Sequence, residues 1–463
     1  MPFIQDIAKT ALLAVTLTLV ACTSGDESTG QTTSDRTNGD GTLASAQLPP
    51  SGDETTNDSS RGPSEPQGKT SPSSDAPPAS DPPPASAPPP ASDPPPASDP
   101  PPAIDPPPAV KTSLRGTNLV GMEGGYSFNQ ANGPVADSDY PVHSNQIVDY
   151  LAQNKVNVLR FLFSWERMQS TLGGPVPAAA SGNYKTYFDN YKRIVDYATS
   201  KGMTVVVAPW QADSGGGAGG ARWRGNLVGA GTVTSAHFAD FWSKMATIFA
   251  GNPRVVIGLV NEPNNMSTMT WFGIAQDAVT AIRNAGFTGE IHVPGNGWTG
   301  AGSWTSASYD KGSPQRSNAY GWLNARGPGL PLLDPLGKSI VEVHSYADSD
   351  AAGGSTGIVS TTVSRTRVQT VTDWARTNGL HVFVGEIGMY ASAANAAANW
   401  SDFVSFADAN DDVLQGFAWW GCGKPGWWND VAANNGGHFS ITPTNNYTTD
   451  TVNMTMIKSA FGM

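Results

Sequence analysis

Eight short apolar runs, most of them separated by stretches of helical periodicity, constrain this chain more than any other feature. They are Leu114–Leu119, Val156–Phe163, Met203–Trp210, Val255–Val260, Glu290–Pro294, Ile340–His344, His381–Val384 and Gly416–Trp420. The intervening patterns include Tyr184–Ser200, with Tyr187, Tyr191, Ile194 and Tyr197 on one face, and Ala236–Phe249. Apolar residues three and four apart mark amphipathic helices, and continuous apolar runs mark strands covered on both faces. Eight such units over about 350 residues predict an α/β fold, a (β/α)8 TIM barrel rather than a doubly wound sheet.

The barrel does not begin at residue 1. Of the 37 prolines in the 463 residues, 23 precede Ala109, whereas all 14 tryptophans lie from Trp165 onward. A Pro-rich, Trp-free stretch cannot bury enough apolar surface to offset its ordering entropy. Residues 22–111 therefore read as a disordered Pro/Ser/Asp-rich linker, and residues 112–463 as the barrel. Near-repeats of Asp-Pro-Pro-Pro-Ala-Ser between Asp81 and Pro102 favour polyproline II, which extends about 3.1 Å per residue and acts as a spacer. The net charge of −12 is concentrated there: Thr23 to Lys111 holds 13 acidic against 4 basic residues. The folded part is nearly neutral and has no basic stripe, which argues against a nucleic-acid partner. The 2 cysteines, Cys22 and Cys422, exclude a disulfide framework and a Cys-rich metal site. Cys422 is expected as a buried thiol.

Ala11 to Val20 is apolar but too short to span a bilayer as a helix, and residues 1–21 read as a signal peptide. Its end, Leu19-Val20-Ala21-Cys22, resembles the lipobox of bacterial lipoproteins, which implies lipidation of Cys22. The expectation is an exported chain, lipid-anchored at the cell surface (the outer membrane if the cell has two) or released. The competing reading is an ordinary secretory leader. The lipid would be the sole membrane contact, and a monomer is expected.

Polar residues gather at the C-terminal ends of the predicted strands, where a parallel barrel brings distant residues onto one face. Strand two carries Arg160. Strand four runs into Asn261-Glu262-Pro263, strand six ends in His344-Ser345-Tyr346, strand seven in Gly385-Glu386, and strand eight in Trp419-Trp420. Two carboxyls so placed point to glycoside hydrolysis, which in its retaining form needs a proton donor and a nucleophile about 5 to 5.5 Å apart. A single Glu could equally cap a helix or pair with an Arg. Two of them among Arg, Asn, His, Tyr and Trp favour the chemistry. Trp165, Trp223, Trp298, Trp427 and Trp428 fall in or near predicted loops as candidate sugar platforms, whereas Trp242, Trp374 and Trp400 fall on helical patterns and read as core. His438 is assigned no function. No metal-ligand spacing is present in the sequence, and no cofactor is expected.

From Leu114 nearly to the C-terminus the chain resembles glycoside hydrolase family 5, and within it the subfamily of fungal and some bacterial endo-β-1,4-glucanases. The resemblance rests on Val255-Val-Ile-Gly-Leu-Val-Asn-Glu-Pro263, Thr280-Ala-Ile-Arg-Asn-Ala-Gly286, Pro294-Gly-Asn-Gly-Trp298 and Val343-His-Ser-Tyr-Ala-Asp-Ser-Asp350, in that order. It implies Glu262 as acid/base, Glu386 as nucleophile and Asn261 as the partner of the sugar 2-hydroxyl. It further implies Arg160 as the cation holding the nucleophile ionised, Tyr346 as a phenol donating to it, His344 beside the acid/base, and Trp420 as the platform under the sugar. One departure stands out. The family usually ends strand three in a His-Asn pair, and here Ala208-Pro-Trp-Gln211 places Trp210 or Gln211 there, followed by the Gly-rich Ser214–Gly220. The expected activity is that of a retaining endo-β-1,4-glucanase acting on a β-linked polysaccharide. A β-mannanase or other β-glycanase is the alternative, and a non-catalytic glycan-binding lipoprotein is a more distant one.

Overall fold

The computed structural model describes residues 113–124, 129–210, 220–427 and 437–461. The expected signal peptide, Cys22, the Pro-rich stretch of residues 22–111, Gln211 and Trp428 lie outside the described residues. The eight predicted strands are all present: β1 Leu114–Leu119, β2 Val158–Phe163, β3 Thr204–Pro209, β4 Val255–Gly258, β5 Ile291–Pro294, β6 Ser339–Tyr346, β7 Val382–Gly388 and β8 Leu414–Cys422. They close into a barrel in the order β1-β2-β3-β4-β5-β6-β7-β8, with every neighbouring pair parallel. Helices α1 Asn145–Gln153, α2 Gly182–Ser200, α3 Ser235–Phe249, α4 Thr268–Asn284, α5 Asn318–Leu323, α6 Val363–Thr377, α7 Ala396–Ala409 and α8 Val452–Ile457 follow the strands in turn. This is the (β/α)8 barrel that the alternation predicts.

Local chemistry sets the boundaries. β2 starts two residues later than its apolar run because the Val156 amide donates to Leu151 O at the end of α1. Asn157 instead uses its side chain to brace β1, accepting from the Arg115 amide at 2.7 Å. The α2 face of Tyr187, Tyr191, Ile194 and Val195 is buried against β2, with the Tyr191 ring stacked on Phe161 at 4.3 Å. Phe161 faces outward, so Val158, Arg160 and Leu162 alternate inward.

The barrel interior is therefore layered. Its lower layer is apolar: Val158, Val206, Val256, Ile340, Phe383 and Ala418. Its upper layer holds Val120, Leu162 and Ala208, with the half-buried Trp210 and Trp420 packed on them. Between the two lies charge. Arg160 of β2 and Glu342 of β6 are both wholly buried and paired at 2.9 Å. Glu342 has room because β7 offers Gly385, where any Cβ would sit 2.8 Å from the Glu342 carboxyl carbon. The polar middle layer is what lifts charge toward the mouth of the barrel.

Candidate active site

Side chains alternate along β6, so Glu342, His344 and Tyr346 share the inward face and rise in steps toward the mouth. Glu386 reaches the same level from β7. Glu262 arrives from the turn after β4, where the Asn261 amide donates to Pro209 O at 2.9 Å and ties the turn to β3. The Glu262 carbonyl accepts from Asn264 Nδ2 at 2.9 Å. One carboxylate oxygen of Glu262 and one of Glu386 lie within 4.8 Å of each other. Glu386 is nearly buried, whereas the Glu262 side chain is 15 % exposed and faces the opening.

Arg160 organises the constellation. Its Nη1 donates to Glu386 Oε1 at 3.1 Å and to Asn118 Oδ1 at 2.8 Å. Its Nη2 donates to Asn261 Oδ1 at 2.8 Å, and its Nε to Glu342 Oε1 at 3.1 Å. Only the guanidinium fork can serve so many acceptors from one position. Tyr346 Oη donates to the other Glu386 oxygen at 2.6 Å. Burial pushes the Glu386 carboxyl above the ordinary carboxylate range and the like charge of Glu262 adds to this, while His344, Arg160 and the Tyr346 hydroxyl pull it down. Glu342 is held far below that range: burial alone would raise it, but Arg160, His292 and His344 together outweigh burial.

His344 completes the array. Its Nδ1 lies 2.7 Å from Glu262 Oε1 and 3.4 Å from Glu386 Oε2, and its Nε2 lies 3.6 Å from Glu342 Oε1. Burial opposes charge on the ring, yet the surrounding carboxylates, Glu386 foremost, push its pKa up to about 9. The donor atoms of Glu262, His344 and Glu386 lie close enough together that the three could hold a metal ion. A protonated His344 presents protons rather than lone pairs, and Arg160 stands beside it. The donor set suits proton transfer better than cation binding.

Trp420, on β8, is half-buried at the mouth, whereas its neighbour Trp419 points outward into the core with Nε1 donating to Phe439 O at 2.8 Å. Trp210 continues β3, its amide donating to Phe163 O at 2.8 Å, and it shares the upper layer with Trp420. Trp298 is 37 % exposed on the turn after β5, edge-on to the exposed Tyr309 at 5.8 Å. Trp223 and Trp427 are half-buried.

Trp165 is a correction. It opens a short helical turn, Trp165–Met168, and is buried against Phe238 and Phe241 with Nε1 donating to Gln169 Oε1, so it is core and not a platform. Trp242 and Trp400 are core as expected, and Trp374 is half-buried against it. Cys422 is a buried thiol at the end of β8. Two residues of the site lie outside the sequence expectations: Asn118 and Glu342. Glu342 had a signal, a charge two residues before His344 in an otherwise apolar strand.

A (β/α)8 barrel with two facing carboxyls at the C-terminal ends of β4 and β7 is the architecture of a glycoside hydrolase. Residues 114–423 match the family described as Cellulase (glycosyl hydrolase family 5), and the chain belongs to that family. Endo-beta-1,4-glucanase A of Emericella nidulans is 32% identical over 288 residues, which cover 61% of this chain and 76% of that protein. An endo-beta-1,4-glucanase from Xanthomonas axonopodis pv. citri has 28% identity and a TM-score of 0.65, covering 76% of this chain and 98% of its own. XacCel5A, solved in complex with cellopentaose, has 27% identity and a TM-score of 0.63, covering 75% of this chain and 99% of its own.

Proposed function

We propose that the barrel is a retaining endo-β-1,4-glucanase that cleaves internal bonds of a β-glucan by double displacement. The observation that carries this is the Glu262–Glu386 pair, with oxygens within 4.8 Å, in a chain of the cellulase family. An inverting enzyme needs about 6.5 to 9.5 Å between its carboxyls to admit a water. Glu386, held by Arg160 and Tyr346, attacks the anomeric carbon. The glycosidic C–O bond breaks as Glu262 passes its proton to the leaving oxygen. A glycosyl ester on Glu386 remains. Glu262, now a carboxylate steadied by the His344 imidazolium, takes a proton from water, and the resulting hydroxide displaces Glu386. Two inversions give net retention. Asn261, oriented by Arg160, is placed to meet the sugar 2-hydroxyl, and Trp420 and Trp210 form the apolar floor on which a pyranose ring stacks.

Side-by-side hydrolysis of carboxymethylcellulose, glucomannan and xylan, with the fresh product anomer read by NMR, tests the reading. The expected result is preferential, rapid loss of carboxymethylcellulose viscosity with β-configured product. Faster cleavage of glucomannan would make the enzyme a β-mannanase. An α-configured product would overturn the double displacement.

We also propose that residues 1–21 are a signal peptide and that Cys22 carries the lipid, with residues 22–111 holding the barrel away from the membrane. The support is the sequence Leu19-Val20-Ala21-Cys22 at the end of an apolar run, followed by the Asp-Pro-Pro-Pro-Ala-Ser repeats. Cys22→Ser should abolish partition into the detergent phase. A wild-type chain recovered wholly from medium with an unmodified N-terminus would refute the anchor.

A further inference from the structure

Below the reacting groups, one buried histidine remains unexplained by the double displacement. His292, on β5, is wholly buried, its ring 4.7 Å from Phe383 of β7. Its Nδ1 lies 3.4 Å from Glu342 Oε2, and its Nε2 lies 3.9 Å from Glu290 Oε2 at the lower rim of the barrel. We propose that His292 is a positioning residue that works as a cation: it neutralises the far side of Glu342, so that Arg160 stays shared with Glu386 instead of being drawn wholly to Glu342. This deepens the assignment of Glu386 as nucleophile and rests on it.

The geometry argues for charge on the ring. A neutral imidazole has one donor nitrogen and one acceptor nitrogen, and ionised carboxylates only accept. With a carboxylate on each side, either neutral tautomer turns a lone pair toward an anion. The imidazolium alone is attracted to both. Gly258 faces it in register on β4, β7 contributes the Phe383 ring, and β6 contributes Glu342. Glu290 has partners of its own in Gln415 and His381. Burial would strip the proton from His292, but Glu290 and Glu342 outweigh it and raise the ring above the usual imidazole range.

Charge counting gives the role. Arg160 lies between two carboxylates, Glu342 at 2.9 Å and Glu386 at 3.1 Å, and His344 approaches the same two from above at 3.6 and 3.4 Å. Glu342 Oε2 points away from Arg160 and has no aligned hydrogen-bond donor of its own. Without His292 that oxygen would be a buried anion with no cation facing it. The relief open to it is a proton or a larger share of Arg160. A proton on Glu342 would undo the shared ion pair, and a larger share of Arg160 would loosen the hold on Glu386. Glu290 steadies His292 from below, so a line of alternating charge runs Glu290–His292–Glu342–His344–Glu262 from the lower rim to the cleft.

Two measurements on the intact chain test this. Side-chain nitrogen NMR of the wild type should show His292 protonated on both nitrogens at pH 6. A neutral tautomer there would overturn the proposal whatever the variants do. Kinetics on an aryl cellobioside should follow for His292→Phe, which fills the same apolar layer, and for Glu290→Gln. Loss of the cation favours protonated Glu386, so the acid limb of kcat/KM should move up by about 0.5 to 1 pH unit in His292→Phe and less in Glu290→Gln, with KM within about twofold. A purely structural role would lower activity evenly across pH and leave the limb in place, and that result in a folded His292→Phe would refute the idea. Glu386→Gln, measured in parallel, tests the parent assignment separately: if it retains turnover, the nucleophile is wrong irrespective of His292.

Discussion

Arg160→Met removes the one permanent cation among the buried carboxyls of the candidate site while keeping much of the volume of the side chain. Arg160 is wholly buried, so water does not screen its charge, and it donates to Glu342, Glu386, Asn118 and Asn261 at 2.8–3.1 Å. Breaking a buried ion pair by deleting one partner costs about 3–5 kcal/mol, because the remaining charge stays buried and uncompensated. The catalytic effect follows from the same contact. An adjacent cation lowers a carboxyl by about 1–3 pH units, which is about 1.4–4 kcal/mol. Burial already raises Glu386, and Arg160 is one of the groups that oppose it. The sign is therefore fixed. Without Arg160 the Glu386 pKa rises further, its ionised form is confined to higher pH, and the acid limb of kcat/KM moves up by about 1–3 units. Urea denaturation supplies the stability, and a pH profile on an activated aryl cellobioside supplies the limb. Arg160→Lys should fall between: one Nζ keeps the charge but cannot span acceptors on β1, β6, β7 and the β4 turn. A folded Arg160→Met with a wild-type acid limb would refute the claim that this guanidinium keeps the nucleophile ionised.

Glu262→Ala should retain a fast initial burst of phenol from an aryl cellobioside with a good leaving group, because the first step no longer needs an acid, while steady turnover collapses for want of the base; absence of a burst in stopped flow would contradict the assignment. Trp210→His should change the ratio of glucan to glucomannan hydrolysis by at least about threefold while shifting Tm little, since the ring is only half-buried on Val120, Leu162 and Ala208; an unchanged ratio would move specificity out to the Trp298 and Trp427 turns. Glu123 is buried with its carboxyl pushed up to about 7 from 4.5, by desolvation above all. Its folded pKa is raised, so the wild type loses stability as pH climbs from about 4.5 to 7 and levels off above. Glu123→Gln should lack that fall, a pH-dependent difference approaching about 3 kcal/mol in urea melts at pH 5 and 8.

The strands were legible because each is a continuous apolar run, the pattern a strand covered on both faces must have, and because helices of 3.6 periodicity lie between them. Their ends were less legible. β6 and β7 continue through His344-Ser345-Tyr346 and Glu386-Ile387-Gly388, mixed segments that the ladder still pairs. Trp165 illustrates the converse: a tryptophan directly after a strand looks like a cleft residue, yet a single helical turn folds it under α3, where Phe238 and Phe241 bury it.

What the sequence alone determined is the barrel, the pair Glu262 and Glu386, and the set around them, because these follow from local periodicity and from motifs in a fixed order. The tertiary structure alone decided how charge is distributed among them. Glu342 and His292 are each flanked by apolar neighbours, and nothing in the sequence says which groups they pair with. Apart from Glu290 below His292, their partners lie tens to hundreds of residues away: Arg160 is 182 residues from Glu342 and 226 from Glu386. Barrel closure removes water from all of them at once, and Coulomb interactions that water would screen become strong enough to set which carboxyl holds a proton.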